Sequence, residues 1–329
     1  MTTTLADYAA LSPDLVIAAV ESTGCLSDAR VLALNSYENR VYQIGMEEGP
    51  PLVAKFYRPQ RWTEAQILEE HTFSLELAAG ELPVIAPVVN TEGKTLHEHE
   101  GYRFALFQRK GGQGLEAGDL DQLYRVGLVL GRLHAIGAQR PFAARPALTV
   151  ERFLDTPSAL ILAGNFLPAS LLEAYRRCVA ELRGKIMALG LDDYPGIRTQ
   201  GDCHPGNAIW TRDDGPWLLD FDDCQTAPAV QDLWMLLCGN QREQERQLAE
   251  LLEGYNTFFD FDSRQLALIE ALRSLRMIHY AGWLAARWTD PAFPRYFPWF
   301  NTGSYWQAHI GELEEQSRRM DEEPLRLLG

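Results

Sequence analysis

The sequence predicts an α+β protein of two lobes. A small N-lobe (1–108) carries an antiparallel sheet and one main helix, and a larger, mostly helical C-lobe (115–329) follows a short hinge at 109–114. Three observations lead there. Strand-like runs crowd the first third of the chain, helical periods dominate after Leu120, and the glycine-rich break KGGQG (Lys110 to Gly114) falls between them.

LALNSYENRVYQIG, from Leu32, reads as strand, turn, strand: Asn35-Ser36 and Glu38-Asn39 supply the turn, while Val41, Tyr42 and Ile44 supply β-formers. PLVAKFYRP is a short strand bounded by prolines, with Val53, Lys55 and Tyr57 on one face and Leu52, Ala54 and Phe56 on the other. Next, TEAQILEEHTFSLELAAG predicts a helix with a Thr63/Gln66 capping box and Gly80 at its end. Glu70 shares a face with Phe73 and Leu77, whereas Glu69 is expected in solvent. After PVIAPV, the runs TLHEH and YRFALFQ complete the sheet. Asp119 is placed to cap LDQLYRVGLVLGRLHAIG, in which His134 is expected to be a satisfied structural histidine. LLEAYRRCVAELRGKIMALG predicts another amphipathic helix, and PAVQDLWMLL predicts the start of a further one with Asp232 in its first turn. The aromatics around YAGWLAARWTDPAFPRYFPWF are expected to be core, with one or two lining a cleft or caging a cation.

Composition bounds the function. At 329 residues the chain exceeds one small core, and 46% hydrophobic with 23% charged residues is ordinary for a folded protein. The net charge of −15 argues against nucleic acid and against an anionic membrane surface as partners. No apolar run approaches the ~20 residues of a membrane span, and the start, MTTTLADYAALSPDLV, carries no basic-then-apolar leader pattern. The five cysteines lack paired spacing, which predicts reduced thiols in a cytoplasmic protein, expected as a monomer.

The chemistry concentrates in QGDCHPGNAIWTRDDGPWLLDFDD, Gln200 to Asp223. Asp202 follows Gly201, Asn207 lies five positions on, and Asp220 ends a hydrophobic run. An Asp and an Asn at this spacing, with a separate Asp, suit phosphoryl transfer: the first accepts the proton of an attacking hydroxyl, and the other two hold Mg²⁺ against phosphate oxygens. Mg²⁺ takes only one or two oxygens from protein and leaves the rest to phosphate and water. An Asx/Gly/Pro-rich surface turn is the plain alternative. Lys55 is one of only four lysines and sits in mid-strand, where it can discourage edge pairing or grip the α/β-phosphates. An inward Glu70 needs a cation, and Lys55 is the candidate. Adenine would then lie at the hinge against backbone groups of Phe107 to Arg109. Ser36 can touch phosphate or merely complete a turn, and His204 can contact phosphate or fix the loop. Asp232 can accept N–H bonds from the catalytic loop or favour a helix dipole. Asp222 and Asp223 can serve as auxiliary metal ligands or sit in a solvated turn, the latter being expected, and Cys203 and Cys224 are expected as buried structural residues.

VAKF, Glu70 before LPVIAPV, GRLHA, GDCHPGN and LLDFDD together resemble the aminoglycoside phosphotransferase/choline kinase group, which has a protein-kinase-like fold. LNSYENRVYQ, VAKFYRPQRWTEAQILEEH, PAVQDLWMLL and RWTDPAFPRYFPW resemble more closely a bacterial serine/threonine kinase branch tied to stress. The resemblance implies ATP and Mg²⁺ as cofactors, Asp202 as catalytic base, Asn207 and Asp220 as metal ligands, Asp220 also as an active-site residue, and Ser36 as an ATP contact. It implies a protein Ser/Thr hydroxyl as acceptor. The alternatives are an amino alcohol or aminoglycoside acceptor, or a nucleotide-binding module without turnover, against which the intact set of acids argues. One departure stands out: many relatives carry His before the GD pair, and this chain has Gln200.

Overall fold

The computed structural model describes residues 8–212 and 214–327; the first seven residues of the stretch read for a leader lie outside them. The chain opens with a helix, α1 (Pro13–Glu21), that sequence reasoning did not single out. Ser12 caps it by accepting from Leu15 N, and Pro13 occupies its first position, where a missing N–H costs nothing. A five-stranded sheet follows, built from β1 (Ser27–Leu34), β2 (Arg40–Met46), β3 (Leu52–Phe56), β4 (His97–His99) and β5 (Tyr102–Gln108), with α2 (Glu64–Ala79) between β3 and β4. Its order is β1-β2-β3-β5-β4, antiparallel throughout.

Alternation along β3 decides how the sheet is used. Leu52, Ala54 and Phe56 face the cluster formed with Val16, Ala19 and Val20 of α1. Lys55 points to the opposite face, toward Glu70 on α2. The capping box of α2 is present as the sequence predicts, with Thr63 and Gln66 satisfying each other's backbone N–H groups. The proline-flanked PVIAPV forms no strand of its own; instead Ile85 N donates to Leu218 O and Leu218 N donates to Pro83 O, which ties the two lobes together. The lobes also share a core, because Phe73 and Leu77 of α2 join the large apolar cluster of the C-lobe.

β6 (Gln113–Gly114) leaves the hinge region to pair with β8 (Ala208–Thr211), which pairs with β9 (Gly215–Leu218). Between β6 and β8 lie α3 (Leu120–Gly137), α4 (Thr156–Ala163), α5 (Leu172–Ala188) and β7 (Ile197–Thr199); β7 pairs with β10 (Gln225–Ala227). The chain ends in α6 (Gln241–Tyr255), α7 (Ile269–Ala286), α8 (Ala292–Tyr296) and α9 (Gly303–Arg319). Asp119 caps α3 as expected. Helices α3 and α6 touch backbone to backbone: a Cβ at Gly127 would strike the carbonyl of Leu251, and one at Gly131 that of Tyr255. No helix among the described residues is long and apolar enough to cross a membrane.

One predicted element is corrected. PAVQDLWMLL does not open an α-helix but folds into two 3₁₀ turns, Ala229–Asp232 and Trp234–Leu236. The segment from Ala229 to Trp234 is buried throughout, and beside its own i to i+3 turns it bonds to groups outside the segment. Val230 N donates to the Gln265 side chain at 3.0 Å, and the Asp232 carboxylate serves the loop described next.

Candidate active site

The loop from Gln200 to Asn207 hangs from Asp232. Its carboxylate accepts from Gln200 N at 2.7 Å and from Gly201 N at 2.8 Å, so of the two sequence alternatives it takes the loop-holding one. Asp232 is fully buried and is itself paired with His134 Nε2 at 3.0 Å, while His134 Nδ1 meets the Tyr255 hydroxyl at 2.7 Å. His134 is thus a satisfied structural histidine, as expected. Gly201 has φ +89° and a Cβ there would strike the Asp223 carbonyl, which makes glycine the residue that fits. Gln200 uses both ends of its amide. Its oxygen accepts from Asp202 N at 2.8 Å, and its nitrogen donates to Leu219 O and Asp220 O at 3.2 and 2.7 Å. The departure from His at this position therefore gives a direct strap between the two acid-bearing loops.

Asp202 projects into the cleft, paired with Arg276 of α7 and lying 3.5 Å from His204 Nε2. Burial pushes its carboxyl up, but the His204 hydrogen bond and the Arg276 charge more than reverse this and hold it at about 2. His204 also accepts from Gly206 N at 3.0 Å through Nδ1. Asn207 donates from Nδ2 to Asp202 O at 3.0 Å, and its amide oxygen takes no hydrogen bond from the described residues. Asp220 sits in the left-handed region at φ +55°, a conformation that short polar side chains tolerate and that aims its half-exposed carboxylate into the cleft.

Lys55 Nζ approaches from the sheet, only 7% exposed as a residue. It lies 3.0 Å from Asp220 Oδ1, 3.1 Å from Asp222 Oδ1 and 3.5 Å from Glu70 Oε1. The expected Lys55–Glu70 pair is present, but two aspartates stand closer. Burial raises the Glu70 carboxyl to about 7, with Lys55 pulling the other way. Asp222 corrects the expectation of a solvated turn: at 3% exposure it is buried between Lys55 and Arg61. Burial alone would raise its carboxyl, yet Arg61 and then Lys55 hold it well below the usual carboxylate range. Asp223 meets Arg61 at 2.6 Å with its side chain 39% exposed. Glu69 is likewise not an idle solvated carboxylate, because it accepts from the backbone N–H groups of Ala143, Ala144 and Arg145 at 2.6 to 2.7 Å. Cys203 and Cys224 are buried as expected.

Two cavities meet at Asn207 and Asp220. One, of about 450 Å³, runs between the lobes: Leu34, Val41 and Val53 line it from the sheet side, Ile209, Leu219 and Phe221 from the other, and Lys55, Phe107 and Arg109 also border it. The second, of about 500 Å³, contains Asp202 and Arg276 and is walled by Phe153, Tyr280 and Trp283. Ser36 borders both, while most of the C-terminal aromatics, such as Phe293, Phe300 and Trp306, are core. Sequence reasoning named Lys55, Glu70, Asp202, Asn207 and Asp220, and the fold brings all five together. It read Asp222 as solvated and missed Arg61, Arg276 and Arg145, whose Nη1 lies 3.9 Å from Glu70 Oε2. No spacing pattern points to these arginines, but the buried carboxylates they pair with required cations.

Among the described residues no group of three or more His, Cys, Asp and Glu could hold a metal by itself. Asn207 and Asp220 nonetheless present two oxygens at the cavity junction, the number that Mg²⁺ draws from protein when phosphate and water supply the rest.

Residues 30–269 match the profile described as the phosphotransferase enzyme family. The chain is 42% identical over 320 residues to stress response kinase A of Escherichia coli (strain K12), covering 97% of each. It is 41% identical over 320 residues to serine/threonine protein kinase RdoA of Salmonella typhimurium (strain LT2), again covering 97% of each. Its fold matches amicoumacin kinase with a TM-score of 0.72 at 18% identity, over 96% of both chains. The two-lobed architecture, the acid-amide-acid set at the junction and these likenesses converge: the chain belongs to the phosphotransferase enzyme family.

Proposed function

We propose that this protein transfers the γ-phosphoryl group of ATP to Ser or Thr hydroxyls of proteins, with Mg²⁺, as part of a bacterial stress response. The observation that carries the reading is the meeting of Lys55, Asn207, Asp220 and Asp202 where an apolar slot opens into a second cavity. The slot suits adenine, with residues 109–114 as hinge and backbone groups of Phe107 to Arg109 beside the base. Lys55 would contact the α/β-phosphates, released from Asp220 but still held by Glu70 and Asp222. Asn207 and Asp220 would hold Mg²⁺, which when bound neutralises charge on the phosphate oxygens. Asp202 would accept the proton of the acceptor hydroxyl, its lowered pKa keeping it ionised across physiological pH. Most of the catalysis then comes from positioning and electrostatics. The names of the relatives at 41–42% identity support a protein acceptor in a stress setting.

A second reading, phosphorylation of a small hydroxylated amine, is favoured by the partly aromatic second cavity and by the small-molecule kinase of like fold. Whole-cell extract incubated with γ-labelled ATP and Mg²⁺ separates the two. Label on protein Ser or Thr, absent with Asp202→Asn, supports the first; label only on added amino alcohols or aminoglycosides supports the second and defeats the first.

A further inference from the structure

The turn between β1 and β2, Asn35 to Asn39, carries Ser36 yet contains no glycine. It cannot fold closely over a ligand by backbone freedom alone, and its position is set from outside. Arg58 holds two of its carbonyls, Glu38 O at 2.9 Å and Tyr37 O at 3.1 Å. The Tyr37 ring packs edge-on against Phe297 and Tyr296 of the C-lobe, with centroids 4.9 and 5.4 Å apart.

The Glu38 carboxylate, 13% exposed, gathers cations from both lobes. Arg58 Nε lies 3.0 Å away and Arg61 Nη1 3.8 Å, both on the N-lobe side. Arg287 Nε, just beyond α7, approaches to 2.6 Å, and the Trp283 indole of α7 donates to the same carboxylate. A half-buried carboxylate is satisfied by one good ion pair; here three guanidiniums share it, and while Arg58 also pairs with Asp290 and Arg61 with Asp222 and Asp223, Glu38 is the anion that meets Arg287. Arg61 continues the line to Asp222, whose other oxygen meets Lys55. Trp283 also walls the second cavity.

We propose that Glu38 is a positioning residue: through Arg287 and Trp283 it latches the 35–39 turn to α7, so that Ser36 stands over the nucleotide phosphates. The inference rests on the ATP reading above and deepens it. Glu38 also borders the second cavity, and the role assigned to it is to fix the turn that carries Ser36.

The test is a double-mutant cycle on the full chain, read as the dissociation constant for MgATP by titration calorimetry. Glu38→Gln keeps the shape of the side chain and removes its charge, and about tenfold weaker MgATP binding is expected. Ser36→Ala should weaken binding about tenfold in the wild-type background and by less than about twofold once Glu38 is Gln, because a released turn no longer brings the hydroxyl to the phosphates. A merely structural Glu38 would leave the two losses additive. Wild-type-like binding by Glu38→Gln, or a full Ser36→Ala loss in the Glu38→Gln background, overturns the latch. If Glu38→Gln does not fold, Arg287→Gln and Trp283→Phe release the same latch from the C-lobe side and carry the same expectations. A wild-type chain that binds no MgATP overturns the ATP reading, and the latch with it.

Discussion

The loop that carries Asp202 and the turn that carries Ser36 face each other across one cleft, yet they are held by different means. The first hangs by its own backbone N–H groups from a fully buried carboxylate, Asp232, with Gln200 strapping it to the Asp220 segment. The second is held by side chains reaching from just beyond β3 and just beyond α7, with no strand or helix of its own. Buried, fully bonded networks rigidify because every lost bond leaves a desolvated group behind. Ion pairs near the surface yield more readily to solvent and salt. The comparison teaches that the acid side of the cleft is preset by the fold, while the Ser36 side is set by charge.

The largest expected effect tests the preset side. Asp202→Asn should lower phosphoryl transfer by about 10²–10⁴-fold while leaving MgATP binding nearly intact. A steady-state assay beside a binding titration reads this directly, and full turnover by the variant would remove Asp202 from the chemistry. Next, Asp222→Ala strips the buried anion from between Lys55 and Arg61 and should destabilise the protein by roughly 3–5 kcal/mol, seen as a lower urea midpoint. A loss below about 1 kcal/mol would mean that this pair is wetter than its burial suggests.

The smallest effect concerns acid. Asp202 is held at about 2, below its unfolded value of about 3.9, so its contribution to stability is present above that unfolded value and lost as pH falls from about 4 toward 2. Asp222, shifted in the same direction, adds to the same window. Thermal midpoints across this range should decline more steeply in the wild type than in Arg276→Gln. Parallel slopes would sever Arg276 from the ionisation of Asp202.

Much of this molecule was legible in its sequence because local rules wrote it. The Thr63/Gln66 box, the Asp119 cap, the alternation around Lys55 and the spacing of Asp202, Asn207 and Asp220 are all short-range signals. What escaped depends on partners far along the chain. Arg61 meets Asp222 161 positions away, and Arg276 meets Asp202 across 74. Neither pairing leaves a periodic trace, so Asp222 read as one more surface acid. The 3₁₀ turns after Pro228 escaped for a related reason: the segment is anchored by distant partners, Val230 N by the Gln265 side chain and the Asp232 carboxylate by the Asp202 loop.

The glycine seam of α3 against α6 extends its influence well beyond packing. Gly131 lies against the carbonyl of Tyr255, the same tyrosine whose hydroxyl orients His134 and, through it, Asp232. A single methyl group wedged into that seam would pry the helices apart and tilt the whole suspension from which Asp202 hangs. Turnover could thus be throttled by a substitution with no polar atom and no view of the cleft.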